Sequence, residues 1–149
     1  MSGPGDASSL LRDAVALAVP RLLAMDDLAA GRSRGDGKWV AKEILGHLID
    51  SSANNHQRFV RARFADEFVW PGYDQDAWVA VHAYRDRPWV ELVVLWAGLN
   101  QHVAHAMQSV PADRHGVRCV IGLDEGTLEW WMRDYVRHLR HHLAQILGS

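Results

Sequence analysis

Two stretches of this chain carry a narrow column of polar residues beside an apolar face, and both repeat at the period of an α-helix. Each residue of a helix advances about 100° around its axis. With His47 at zero, Asp50 falls at about −60°, Asn54 at about −20° and Arg58 at about +20°. Ile44, Leu45, Leu48 and Phe59 spread over roughly +60° to +160° on the same wheel. The stretch ending at Leu147 repeats the arrangement. With His138 at zero, His142 lies at about +40°, Gln145 at about −20° and His141 at about −60°, beside Met132, Leu139, Leu143 and Ile146. A segment that keeps its apolar side over several turns is stable only with that side against another element. Packed helices are therefore the expected solution.

The rest of the chain supplies the partners. A first helix is expected from about Asp6 to Ala30, kinked or split by Pro20. Gly31 to Gly37 reads as a loop, and a second helix as running from about Val40 to Phe64. Tyr73 to His82 can hold a short helical turn after Pro71-Gly72. Asp86-Arg87-Pro88 suits the start of a third helix reaching about Val110. Ala112 to Gly126 reads as a long loop or a small hairpin, with Cys119 a small apolar residue within it. Thr127 can cap the fourth helix, with Gly148 just past its end. No convincing sheet emerges. The expectation is all-α: one domain over residues 1–149, an up-down four-helix bundle with a long crossover.

Composition narrows the function. Hydrophobic residues make up 48% and charged residues 23% of 149 residues, as in folded soluble domains. Sixteen Lys+Arg against eighteen Asp+Glu leave a net charge of −2, so no global field draws the chain to nucleic acid or an anionic bilayer. No apolar run approaches the roughly 20 residues of a membrane span, and Met1 to Asp6 lacks the basic start of a secretory signal. Cytoplasm is the default location. One cysteine can form neither an internal disulfide nor a thiolate zinc site. Nine histidines carry the interest, because imidazole is the commonest metal ligand.

His138 and His142, four apart, share one helical face and can chelate one cation. On its own the spacing more often marks solvated or core histidines. Trp130 and Trp131 read first as core packing rather than a substrate wall, and His102 with His105 as a solvated pair. His56, His82 and His115 have no evident partners in sequence. Asp50 suits either a surface charge or a carboxylate that orients a ligand or moves a proton.

Three ordered motifs resemble the DinB/YfiT-like superfamily. They are His47-Leu48-Ile49-Asp50-Ser51 with Asn54 and Arg58-Phe59, then Tyr73-Asp74-Gln75-Asp76-Ala77-Trp78, then His138 to Ile146. The resemblance covers about residues 39 to 147. It implies an up-down-down-up four-helix bundle holding a divalent metal, usually zinc or nickel, on His47, His138 and His142. It also implies a homodimer and a small-molecule substrate. Members of the family include bacillithiol or mycothiol S-transferases, a mycothiol-dependent maleylpyruvate isomerase and metal-dependent hydrolases. Ser52 and Arg140 stand where some relatives carry further histidines.

Three neutral imidazoles leave a divalent cation with an open position, the pattern of catalytic rather than structural zinc. Water there has its pKa lowered toward about 7, and a low-molecular-weight thiol ionises more readily still. Hydrolysis and thiol transfer both follow. Asp50 is the candidate for orienting a ligand or moving a proton. Asn54, Arg58 and Gln145 would line the adjacent wall, with Arg58 suited to an anionic substrate group. Two other readings stand beside these: a metal that only staples the bundle, and a metal-free interaction module.

Overall fold

A computed structural model describes residues 5–148. Its helices begin where a side chain can occupy the unpaired amides of a first turn. The Asp6 carboxylate accepts from the Ser9 amide at 2.8 Å and opens α1, Ala7–Leu23. The Asp26 carboxylate accepts from the Ala29 amide at 2.7 Å and opens the short α2, Asp27–Ala30. Pro20 therefore does not divide the first helix. It sits inside α1, and the break falls at Ala24–Asp26, where a new cap is available. Inside a helix a proline removes one hydrogen bond and crowds the carbonyl four residues back, a strain that bends a helix more readily than it ends it when the apolar face is packed.

The second long helix, α3, is Ala41–Ala62, and the Glu43 carboxylate reaches back to the Val40 amide. Strand β1, Glu67–Trp70, follows, then α4, Gln75–His82, capped by Asp74. Pro88 precedes α5, Trp89–Gln108. The hairpin β2, Arg118–Ile121, and β3, Asp124–Thr127, leads into α6, Leu128–Leu147. Thr127 caps α6, and Gly148 ends it at φ 79°, a left-handed conformation that favours glycine.

The expectation of no sheet is corrected by β1. The region around Cys119 forms the small hairpin, and β1 adds to it in parallel, Glu67 opposite Arg118 and Trp70 opposite Ile121. Four-residue strands are too short to show alternation, and this pairing joins residues 51 apart, so no local pattern announces it. Cys119 is thus a buried strand residue. The sheet is minor beside the helices.

Helices α1 and α3 lie diagonally opposite, each packed against both α5 and α6. Contacts set the directions. Arg12, early in α1, meets Gln108 at the end of α5, while Leu22 meets Trp89 at its start, so these two run antiparallel. The ends of α1 and α6 meet through Arg21 and the Leu147 carbonyl, so they run parallel. Ser52 meets Tyr135, and His47 meets His138 further along α6, so α3 and α6 are antiparallel. The result is an up-down-down-up four-helix bundle. Its core is filled by side chains such as Trp89, Trp96, Phe59, Leu45 and Leu139. Among the described residues, no helix is long and apolar enough to cross a membrane.

Candidate metal centre

Antiparallel packing of α3 on α6 places the N-terminal third of one helix beside the C-terminal third of the other. His47, fully buried, projects from α3 toward His138 and His142 on α6. The His47 Nε2 lies 3.3 Å from the His138 Nε2, which lies 3.1 Å from the His142 Nε2. One nitrogen from each of the three rings falls within 4.8 Å of the others. Trp39 packs over the His47 ring with centroids 5.0 Å apart, closing the apolar side.

Burial acts on all three rings in the same direction. It holds His47 down at about 3 and His138 at about 4, and His142 is also lowered; the neighbouring imidazoles reinforce the effect on His47 and His138. Near neutral pH the three are therefore uncharged, the state in which imidazole offers a lone pair to a cation. The His142 Nδ1 lies 2.8 Å from the Gln145 Oε1, which as an acceptor keeps the ring proton on Nδ1 and so leaves Nε2 as the free lone pair.

The other expected residues occupy two surroundings. Asp50 is buried, and its Oδ1 accepts from the Tyr84 hydroxyl at 2.6 Å and meets the His82 Nδ1 at 3.1 Å. His82, without an evident partner in the sequence, thus has a carboxylate. Burial raises the Asp50 carboxyl above the ordinary range. Asn54 turns back onto the Asp50 carbonyl, and Gln145 stands on the His142 side. Arg58 lines a cavity of about 340 Å³ that also takes in His47, His138, Ser51, Asn55 and Tyr73.

Sequence reasoning missed Ser51, Asn55 and Tyr73. The signal for the first two was present, since His47, Ser51 and Asn55 follow one another at i, i+4. With His47 at zero, Ser51 lies at about +40° and Asn55 at about +80°, on the flank away from Asp50 and Asn54. Trp131, read as core, is half-buried and lines this cavity, its indole N–H donating to the Cys119 carbonyl. Trp130 is largely exposed. Ser52 is buried, with its hydroxyl on the Leu48 carbonyl and the Tyr135 hydroxyl.

The family model of the DinB superfamily matches residues 10–146. A protein of Oceanobacillus iheyensis named "Putative metal-dependent hydrolase" is 22% identical over 125 residues, covering 82% of this chain and 70% of that protein. A protein of Geobacillus thermodenitrificans with the same description is 25% identical over 115 residues, 76% of this chain and 65% of that protein. The chain thus spans about two thirds of the length of these curated relatives. Among solved structures, YfiT from Bacillus subtilis, described as a probable metal-dependent hydrolase with an unusual four-helix bundle topology, superposes with a TM-score of 0.81. That match has 21% identity over 95% of this chain and 82% of the other. The chain belongs to the DinB superfamily, with a YfiT-like fold.

Proposed function

We propose that this chain is a divalent-metal-dependent hydrolase whose cation is held by the Nε2 atoms of His47, His138 and His142. The observation that carries the reading is their spacing. Ligands about 2.0–2.1 Å from a tetrahedral centre stand roughly 3.3–3.4 Å apart, and the two contacts at 3.3 and 3.1 Å lie close to that edge. Zinc and nickel both suit such a nitrogen set. When bound, the cation supplies acidification of a water or thiol at its open position.

The chain's own residues prepare the site. Gln145 selects the His142 tautomer. A His47 ring that binds through Nε2 carries its proton on Nδ1, which is buried without a partner. The Asp50 Oδ2, from the residue one turn further along α3, is equally buried and unpartnered. Asp50 is assigned to orient a ligand or move a proton, anchored meanwhile by Tyr84 and His82.

One observation favours a second reading, transfer of a low-molecular-weight thiol. A separate cavity of about 440 Å³ opens on the His142 side, lined by Trp39, Lys38, Arg34 and Gln145, with room for a second reactant. Elemental analysis of untagged protein tests the common core. The wild type is expected to carry stoichiometric zinc or nickel and His138→Ala to lose it. Equal metal content in both proteins would remove His138 from the site.

A further inference from the structure

We infer that the substrate is an elongated molecule ending in a single carboxylate, which Arg58 holds at the far end of the cavity from the three histidines. The inference rests on the metal reading only for which end reacts. Arg58 is 7% exposed, yet among the described residues no carboxylate forms an ion pair with it. Its contacts are long. Nη1 donates to the Asn55 Oδ1 at 3.4 Å, Nη2 to the Pro71 carbonyl at 3.3 Å, and the guanidinium carbon lies 5.7 Å from the Tyr73 ring centroid. The buried Nε has no partner.

A guanidinium offers five N–H donors, and two are engaged here. A buried cation without a counter-ion is costly, and a cavity beside it gives an anion access to the unused donors. Charge in the same cavity sets the valence. Asp124 also lines it, while Asp134 there is paired with Arg137, so a dianion such as a phosphate monoester meets from Asp124 a repulsion that a lone carboxylate meets at half the strength. Planar, bidentate pairing with arginine suits a carboxylate as well.

Length follows from the helix. Eleven residues separate His47 from Arg58, about 16 Å of rise along α3. The arginine leans back toward the helix N-terminus, as its contact with Asn55 requires, which makes the gap shorter than that rise. The wall also includes Trp131 and Tyr135, suited to an apolar or planar middle.

The test is calorimetric titration of the full, untagged chain with hexanoate, hexanamide and hexyl phosphate, on EDTA-treated and zinc-loaded protein. Hexanoate is expected to bind about tenfold or more tighter than either comparator in both forms, because Arg58 rather than the cation makes the preference. Arg58→Gln is expected to abolish the preference, and Arg58→Lys to keep part of it. Equal binding of hexanoate and hexanamide, tighter binding of hexyl phosphate, no hexanoate binding at all, or a preference that vanishes with EDTA would each overturn the inference. If Arg58→Gln fails to fold, the three-ligand comparison on the wild type still decides. Failure of the metal reading has a different signature, wild-type protein that takes up no stoichiometric zinc while the carboxylate preference persists.

Discussion

Gln145 does its work through one proton. Its Oε1 fixes the His142 tautomer, so Gln145→Leu leaves the ring free to present either nitrogen. Metal affinity in that variant is expected to fall by about 10–100-fold in competition titrations with a fluorescent chelator. An unchanged affinity would mean that packing alone sets the ring. The histidines also set a pH dependence for the metal-free chain. Folding holds His47 at about 3 and His138 at about 4, against an ordinary value of 6.5. Below 6.5 the unfolded chain takes up protons that the folded one refuses, so stability is full above that pH. It falls as the pH drops toward 4 and stops falling on this account near 3. Thermal melts from about pH 7 to about pH 4 should show this decline, and His138→Asn should make it shallower, with the His47 share remaining. A wild-type profile as shallow as the variant's would contradict the buried neutral state.

At the scale of elements, α3 owes its fit to a residue with no side chain. A Cβ on Gly46 would stand 2.0 Å from the Tyr84 ring, whose hydroxyl holds Asp50. Gly46→Ala gains about 1 kcal/mol in helix propensity and loses about 3 kcal/mol to overpacking. Urea unfolding should therefore report a net loss of about 2 kcal/mol, and a neutral result would show that the ring moves aside freely. The start of α6 rests on Thr127, whose Oγ1 accepts from the Trp130 amide at 3.1 Å. Thr127→Ala should cost about 1 kcal/mol in the same assay while leaving metal content intact. A larger loss would mean that Thr127 also supports the β3 pairing. Both helices were legible because caps and periodicity lie within a few residues of each other. Strand β1 was not, because its partner lies far along the chain.

For the whole molecule, the cation proposed for the three histidines would cross-link α3 and α6, contributed by residues 91 apart in sequence. Saturation at about a thousand times the dissociation constant adds about 4 kcal/mol to the folded state, or about 10 °C in melting temperature for a chain of this size. EDTA should remove that increment, measured by calorimetry at fixed protein concentration. A melting temperature indifferent to chelator and to added zinc would favour the metal-free interaction module instead.

Local patterns in the sequence determined the long helices, the Thr127 cap and the polar columns that bear His47, Arg58, His138 and His142, since a helix is decided within a few turns of its own chain. The motifs that resemble the superfamily singled out three of the histidines as candidate ligands. Only the tertiary structure decided that Asp50 faces Tyr84 and His82, that Asn55 rather than Asn54 shares a cavity with Arg58, and that Tyr73 closes over that arginine. Those neighbours come from separate elements, so their meeting depends on helix order and direction. Such packing is set by the burial of whole faces, which no short window of sequence contains.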